Sequence, residues 1–310
     1  MPLVAPRKSR TPDFCSLPSQ RVQKYVSLAT LLLTLSYLLK SAYDAPLLPH
    51  RSCSCSRLPD MSTVLAGAPG DCCRKTVQHT GTATGTVEAI AGVETYIARP
   101  PNAQDNTKII FFFADVFGPL YINSKLLMDY WASNGYLVLG LDYFEGDSMI
   151  LHHGQEGFDF TAWRIPKEKR AAELVPRWID AVKQQFGGPE TKYNAAGFCF
   201  GAPYAMDLVA TDWFSAGAWA HPAFLNEDHF KNVKRPIMMA CAEIDHTFSL
   251  EARRRAEDIL VEAKAPYFIQ VFGQVSHGFA LRGDPNIPAQ KWAKEECARA
   301  ILNWFDHHGN

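Results

Sequence analysis

The sequence as a whole has no excess of charge of either sign, although residues 1–60 are basic, with 8 Lys and Arg against 3 Asp. Its 31 Lys and Arg nearly balance its 32 Asp and Glu, which leaves a formal net charge of −1 at pH 7. The densest basic run, Arg253-Arg254-Arg255, lies among acidic residues without interleaved aromatics, which is typical of a solvated helix face. The composition therefore argues against nucleic acid as a partner.

The sequence also lacks an apolar run long enough to span a membrane on its own. The uncharged, leucine-rich run at residues 25–39 covers fifteen residues between Lys24 and Lys40, whereas a spanning helix needs about twenty. A small-residue cleavage site does not follow, because Lys40 and its neighbours occupy the positions that matter. Residues 1–60 are open to three interpretations: a membrane anchor or uncleaved signal, a cleaved or organelle-targeting leader, or an extension with no structural role. Met61 favours the last, because it could itself begin a complete domain.

Cysteine is present, but it lacks the spacing of a disulfide framework or a zinc site. Eight cysteines are scattered along a chain that is large enough to fold without cross-links. The pairs Cys53-x-Cys55 and Cys72-Cys73 do not have the ligand spacing of a zinc finger or ribbon. We therefore expect no metal site, a reducing compartment and a cytoplasmic location, with membrane association through the 25–39 segment as the alternative.

Beyond residue 60, strand-like and helix-like segments alternate, which predicts a mostly parallel sheet covered by helices on both faces. Residues 108–113 form a continuous apolar run, typical of a strand buried on both faces, and residues 84–98 resemble a hairpin that turns at Ala91-Gly92. A long loop is predicted to about Ile165. The other predicted strands are 135–141, a strand leading into Cys199, 216–220, 236–241 and 267–272; the predicted helices are 125–132, 168–186, 203–210, 250–263 and 289–306.

The segment around which the rest is arranged is Gly197-Phe198-Cys199-Phe200-Gly201. A nucleophile flanked by two glycines at a sharp strand-to-helix turn is typical of the α/β-hydrolase fold. A helical pattern follows, and its Pro203 fits a first turn because the missing N–H has no partner there in any case. The sequence therefore predicts one α/β-hydrolase domain over residues 61–310, with Cys199 as its nucleophile.

An acid and a histidine follow the nucleophile in chain order in that fold, each directly after a strand. Asp245 and His277 each follow a predicted strand, in that order. Asp245 would orient the ring of His277, which would deprotonate Cys199 and later activate water. His246 is the competing histidine, and we expect it to be a neighbour of the site.

The loop after the strand at 108–113 is predicted to complete the site. Backbone N–H groups of Phe200, directly after the nucleophile, and of Val116 in this loop are predicted to form the oxyanion hole. Asp115 in the same loop would lie near the thiol, where a carboxylate opposes ionisation of the sulfur. We expect Asp115 to hold Cys199 neutral in the resting enzyme, with a turn-stabilising role as the alternative.

Seven motifs between Cys72 and the C-terminus carry a family resemblance. They are Cys72-Cys73, His79-Thr80-Gly81-Thr82-Ala83-Thr84-Gly85, Asp115-Val116-Phe117-Gly118, Asp142-Tyr143-Phe144-Glu145-Gly146-Asp147, the segment around Cys199, Asp245-His246 and His277-Gly278-Phe279. With them the chain resembles the dienelactone hydrolase family, also called carboxymethylenebutenolidases, and in particular its eukaryotic branch.

This resemblance implies the same catalytic triad, with Asp115 where bacterial members carry a glutamate that holds the resting thiol. It also implies hydrolysis of an enol-lactone or related ester without a metal or organic cofactor. Family members bind the substrate carboxylate with arginines, one of them four residues after the histidine. Leu281 occupies that position here, and Arg282 follows one place later.

Position in the predicted fold adds three residues that could shape the pocket: Tyr143, which follows a strand, and Trp163 and Arg164 in the long loop. We therefore predict an ester or lactone hydrolase that acts through a thioester-type acyl-enzyme on Cys199, as a monomer or homodimer. Two alternatives stay open. One is a biosynthetic-pathway hydrolase acting on a polyketide-like lactone or ester, and the other is a catalytically idle binding protein tethered by its N-terminus.

Overall fold

The computed structural model describes residues 63–102 and 107–308. The predicted extension, residues 1–60 with the apolar segment 25–39, lies outside the described residues, and its three interpretations stay open. Within the described ranges, no helix is both long enough and apolar enough to cross a membrane. The cytoplasmic location stays a prediction.

In the part of the chain that the structure describes, ten strands form two sheets. In chain order the strands are β1 (Val64–Ala66), β2 (Thr86–Ile90), β3 (Val93–Ala98), β4 (Lys108–Phe113), β5 (Leu137–Leu141), β6 (Lys192–Phe198), β7 (Ala216–Ala220), β8 (Leu225–Asn226), β9 (Ile237–Ile244) and β10 (Tyr267–Ser276). Eight of them form the central sheet in the order β10-β9-β7-β6-β4-β5-β3-β2, while β1 pairs with β8. Within the central sheet, the β2–β3 and β3–β5 pairs are antiparallel and the others are parallel. The predicted mostly parallel sheet is confirmed.

Helices cover both faces of the central sheet. They are α1 (Ile122–Ser133), α2 (Phe160–Phe186), α3 (Ala202–Val209), α4 (Glu227–Lys231), α5 (Leu250–Glu262), α6 (Phe279–Arg282) and α7 (Pro288–His308). Successive residues of β4 point to opposite faces: Phe111 packs edge-on against Trp178 of α2, and Phe112 packs against Trp131 of α1. The α7 helix shares the core of the α1 face, and α3 and α5 share that of the α2 face. Burial on both faces explains why β4 is apolar throughout.

The predicted hairpin is present as β2 and β3. Ala91 and Gly92 connect the strands with φ angles of 52° and 79°, and positive φ at both central residues is what the right-handed strand twist demands of a two-residue turn. Glycine meets that demand without steric cost. The prediction of a turn at this dipeptide is confirmed.

The predicted long loop before residue 168 is wrong in part, because α2 begins at Phe160. Asp159 caps this helix by accepting a hydrogen bond from the Ala162 N–H at 2.9 Å. Trp163 anchors the first turns, stacking on Phe160 and donating its indole N–H to the Asp147 carbonyl at 3.1 Å. This packing offsets the hydrogen bond that Pro166 cannot make inside the helix, and the sequence pattern did not reveal it.

Four short elements were not predicted: β1, β8, α4 and α6. Each has five residues or fewer, which is too short to show a period. The β1 segment nevertheless ties the start of the domain to the body. Glu227 donates its N–H to the Thr63 carbonyl at 3.0 Å, and Gly67 donates its N–H to the Thr247 carbonyl at 2.8 Å.

These contacts sharpen the prediction that residues 1–60 contribute nothing to the domain. A protein that begins at Met61 keeps β1 and both anchoring hydrogen bonds, so its Tm and specific activity are expected to equal those of the full chain. The measurement is thermal unfolding together with an ester hydrolysis assay. An insoluble or inactive protein would contradict the prediction.

A protein that begins at Gly70 is the matched control, because it loses β1 with its buried Leu65 and Ala66. Removing a buried leucine side chain alone costs about 2 to 5 kcal/mol. That loss corresponds to a Tm at least about 4 °C lower in a domain of this size. An unchanged Tm in the control would mean that β1 does not stabilise the domain.

Candidate active site

The sharp turn predicted at Cys199 is present where β6 ends. Cys199 has a φ of 49°, begins a single 3-10 turn that leads directly into α3, and is fully buried. A left-handed backbone costs about 1 kcal/mol or more in a residue with a side chain. This strained backbone places Cys199 at the carboxyl end of β6, in the sharp strand-to-helix turn where the fold holds its nucleophile.

The two flanking glycines are required by close backbone contacts. A Cβ atom on Gly197 would lie 2.6 Å from the Gly201 carbonyl oxygen, and one on Gly201 would collide with the Phe113 carbonyl at the end of β4. Either side chain would push the turn away from the sheet. The Gly-x-Cys-x-Gly pattern therefore has a steric cause at both of its glycines.

Asp245 and His277 meet beside this turn, at the carboxyl ends of β9 and β10. The Asp245 Oδ1 and His277 Nδ1 atoms are 2.9 Å apart, and both side chains are buried. Thr247 supports the pair: its hydroxyl lies 2.7 Å from Asp245 Oδ1 and 3.1 Å from His277 Nδ1, and its backbone N–H also donates to Asp245 Oδ1. The His277 N–H donates to the Ile244 carbonyl at 3.0 Å, which holds the end of β10 against that of β9.

The surroundings of this pair favour a protonated, positively charged imidazole. Burial by itself lowers the pKa of His277, but the hydrogen bond to Asp245 and the adjacent Cys73 sulfur outweigh it and raise the pKa to about 9. Burial opposes ionisation of Asp245, yet hydrogen bonds from His277 and Thr247 prevail and lower its pKa. At neutral pH the pair can hold an imidazolium beside a carboxylate.

The edge of the His277 ring that points away from Asp245 faces two sulfur atoms. One ligand atom from each of Cys73, Cys199 and His277 lies within 4.8 Å of the other two. Because Nδ1 is held by Asp245, the atom facing the sulfurs is Nε2, which has no hydrogen-bond partner among the described residues. The structure thus brings the three predicted triad residues together and adds Cys73, to which the sequence assigned no role.

Asp115 lies in the site, but its partner is Arg282. The Asp115 Oδ2 and Arg282 Nε atoms are 3.2 Å apart, and Asp115 Oδ1 accepts the Phe117 N–H at 2.9 Å. Both side chains are buried. Burial raises the pKa of Asp115, and the Arg282 charge and the Phe117 hydrogen bond oppose that shift. Asp115 therefore makes the backbone contact expected of a turn-stabilising carboxylate. It also pairs with Arg282, a charge that acts on the Cys199 thiol.

Arg282 is held firmly, yet one of its nitrogens has no partner. Its Nη1 donates to the Cys73 carbonyl, and its guanidinium lies 5.4 Å from the centre of the Phe117 ring. Gly278 makes room for it, since a Cβ atom there would collide with the guanidinium. The Nη2 atom has no hydrogen-bond partner among the described residues. It is a buried donor without an acceptor in that part of the chain, and its side chain lines the cavity beside His277.

The two predicted oxyanion donors lie on neighbouring parts of the fold. Phe200 follows the nucleophile, and Val116 follows β4, the strand that pairs with β6. The Val116 carbonyl accepts the Met149 N–H at 2.9 Å, which ties this loop down. Tyr143 contacts both parts of the fold: its hydroxyl donates to the Ala114 carbonyl, and its ring centre is 5.2 Å from that of Phe200.

Trp163 and Arg164 do not line the cavity beside His277. Both are in the first turns of α2, where Trp163 packs 5.4 Å from the Phe144 ring and Arg164 pairs with Glu168. Arg164 also lies over the Phe224 ring. The cavity of about 420 Å³ beside the triad has a different lining, which includes Lys75, Thr76, Val77, Ile244, His246, His277, Phe279, Arg282 and Gln290. The assignment of Trp163 and Arg164 to substrate binding stays a prediction.

Two histidines complete the surroundings of His277. His246 lines the cavity, with its ring centre 4.7 Å from that of His277, as expected for a neighbour. His221 is fully buried at the end of β7, 5.0 Å from His277 between ring centres. Burial and the nearby positive groups lower its pKa well below the usual value, so His221 is a neutral ring that packs against His277. No sequence signal distinguished it.

Comparison with known proteins identifies the family of this chain. Residues 93–309 match the model of the dienelactone hydrolase family. The chain belongs to that family. It is therefore an ester or lactone hydrolase, as predicted from the resemblance.

This dienelactone hydrolase family member matches its relatives over nearly their whole lengths. Dienlactone hydrolase 1 of Gibberella moniliformis is 36% identical over 80% of this chain and 98% of its own length. Hydrolase tropI of Talaromyces stipitatus is 30% identical over 76% of this chain and 95% of its own. A putative dienelactone hydrolase from Klebsiella pneumoniae, 18% identical, superimposes with a TM-score of 0.55 over 69% of this chain and 92% of its own. The last comparison confirms the predicted fold.

Proposed function

We propose that this protein hydrolyses a carboxylic ester or lactone, of the enol-lactone type, through a thioester acyl-enzyme on Cys199. The observation that carries the proposal is the placement of His277. Its Nδ1 lies 2.9 Å from Asp245, and its unpartnered Nε2 faces the Cys199 sulfur. A nucleophile, a base and a group that orients the base are the minimum for covalent hydrolysis.

The reaction starts from the ion pair in which His277 already carries the Cys199 proton, the form that the raised pKa of His277 favours. The thiolate attacks the ester carbonyl, and the N–H groups of Phe200 and Val116 stabilise the oxyanion that forms. Collapse breaks the bond to the alkoxy oxygen, which takes the proton from His277 and leaves a thioester. A water molecule then gives a proton to His277 and attacks the thioester, which releases the carboxylic acid and regenerates the Cys199 thiolate beside the protonated His277.

The contacts of Arg282 favour an uncharged substrate over one with a free carboxylate. Asp115 already neutralises the guanidinium at 3.2 Å within a buried pair, so a second carboxylate would have to displace it or add a like charge beside it. The unpartnered Nη2 donor suits a neutral carbonyl oxygen instead. This supports the alternative of a polyketide-like lactone or ester, for which the similarity to a protein named only as a hydrolase leaves room.

A matched pair of substrates tests this specificity. An enol-lactone that carries a free carboxylate and its methyl ester are compared on the purified protein, with intact-mass spectrometry to detect the acyl-enzyme. We expect the uncharged member to have a kcat/KM at least about tenfold higher, because a like charge near Asp115 costs on the order of 1.4 kcal/mol or more. A preference for the free carboxylate would contradict the specificity, and the absence of any acyl adduct would contradict the covalent route.

A further inference from the structure

Cys73 brings a second thiol into the active site from a distant part of the chain. It lies in a 3-10 turn, Asp71–Arg74, and is fully buried. Its carbonyl accepts a hydrogen bond from Arg282, and its sulfur lies 3.8 Å from His246 Nε2. Neither the triad nor the oxyanion hole uses this thiol.

The ligand atoms of Cys73, Cys199 and His277 have the spacing and the chemical softness of a zinc site. The sulfurs of Cys73 and Cys199 and a nitrogen of His277 lie within 4.8 Å of one another. Tetrahedral zinc, with Zn–S bonds of about 2.3 Å and Zn–N bonds of about 2.05 Å, places ligand atoms ~3.6 to 3.8 Å apart. The three side chains therefore need to close by no more than about 1 Å. Thiolate and imidazole together select zinc over magnesium or calcium.

The orientation of His277 is that of a metal ligand. Its Nδ1 is bonded to the Asp245 carboxylate, while Nε2 has no hydrogen-bond partner among the described residues and its side chain is only 3% exposed. A carboxylate on the far nitrogen of the ring is the usual outer partner of a zinc-bound histidine. A buried nitrogen without a partner, aimed at two sulfurs, points to a ligand between them.

His246 supplies a fourth donor. Its Nε2 lies 3.8 Å from the Cys73 sulfur, close to the separation in a tetrahedral site. The imidazole is exposed at the cavity wall, so it can turn without disturbing the core. Two cysteines and two histidines make a common set of structural zinc ligands.

We propose that Cys73, Cys199, His277 and His246 form a site for a thiophilic divalent cation, zinc, and that zinc bound there inhibits the enzyme. The cation takes the sulfur of the nucleophile and the nitrogen of the base, so neither is available for hydrolysis. The binding stands on the geometry alone; the inhibition rests on the proposed function. Asp115 neutralises Arg282 nearby, which limits repulsion of the incoming cation.

The test measures metal binding directly on the full chain. Zinc is titrated anaerobically against a chromophoric chelator, with a non-thiol reductant to exclude disulfides, and Co²⁺ is used as a spectroscopic probe. We expect one equivalent to bind, with the thiolate charge-transfer and tetrahedral ligand-field bands of cobalt. Mg²⁺ at the same concentration is expected not to compete.

Two variants and one control assign the ligands. Cys73→Ala is expected to weaken zinc binding by more than about 100-fold, beyond the 10- to 100-fold typical of losing an outer partner. His246→Gln, at an exposed side chain, is expected to weaken it at least tenfold and covers the case in which Cys73→Ala does not fold. Cys297→Ala removes another buried thiol, on α7, and is expected to bind as the wild type does.

Inhibition is measured separately, so that the two proposals can fail independently. Zinc at one equivalent is expected to abolish ester hydrolysis, and a chelator is expected to restore it. No bound zinc, a cobalt complex without thiolate bands, or equal affinity in the wild type and both ligand variants would overturn the site. Zinc binding with these signatures and undiminished hydrolysis would overturn the inhibition. Zinc binding in a protein that hydrolyses no ester would leave the site standing and contradict the proposed function.

Discussion

Cys199→Ala is expected to lower kcat on an ester or lactone by about 10⁵- to 10⁶-fold, the range for loss of a triad nucleophile. The sulfur is the atom at the apex of the turn that β6 and α3 impose, and it faces the nitrogen of His277. Without it the oxyanion donors still bind substrate, but no acyl-enzyme forms and only slow direct attack by water remains. The measurement is single-turnover kinetics, with mass spectrometry to show that the adduct is absent.

Cys199→Ser separates the thiol from the geometry. A hydroxyl at the same position deprotonates far less readily than a thiol, so we expect little turnover even though the triad stays in place. Cys241→Ala is the matched control: Cys241 is also buried at a strand of the central sheet, and its loss is expected to leave kcat unchanged. If Cys199→Ala kept more than about a hundredth of the wild-type rate, the nucleophile would be assigned wrongly.

The elements that could be predicted were those whose pattern depends on local chemistry. The apolar run of β4 predicted its bounds because both faces of the strand are buried, and Ala91-Gly92 predicted the hairpin because few residues adopt positive φ. The start of α2 was missed because it depends on Trp163, which packs on residues distant in sequence. Local propensity carries no information about such contacts.

The residues of the site also divide into those that the sequence pattern predicted and those that only long-range contacts bring together. Cys199, Asp245 and His277 follow strands whose carboxyl ends must meet at one edge of a parallel sheet, so their order in the chain predicted their meeting. Cys73 precedes the sheet in a short turn and reaches the site through its carbonyl contact with Arg282, a bond across 209 positions. Asp115 was expected near the thiol or in a turn-stabilising role, and only the folded chain shows that Arg282 pairs with it.

The second large effect is expected for Asp245→Asn, which should lower kcat by about 10³- to 10⁴-fold with little loss of stability. The asparagine oxygen can still accept the Thr247 N–H that Asp245 accepts at 2.9 Å. It cannot hold the His277 tautomer or stabilise the imidazolium, and burial then lowers the pKa of His277. The neutral ring no longer favours a thiolate beside it, so alkylation of Cys199 by iodoacetamide at pH 7 should slow.

Asp115→Asn is the matched variant, because it also removes one buried carboxylate, but one that pairs with Arg282 and not with His277. The loss leaves the Arg282 charge without its partner at 3.2 Å, which favours the thiolate, so alkylation at pH 7 should accelerate. Turnover is nevertheless expected to fall, because a thiolate formed before substrate binds is open to oxidation. The measurement is the pH profile of alkylation in the wild type and both variants. Slower or unchanged alkylation in Asp115→Asn would contradict an effect of Asp115 on the ionisation of Cys199 and would leave it the turn-stabilising role. Faster alkylation in Asp245→Asn would contradict the role of Asp245 in keeping His277 protonated.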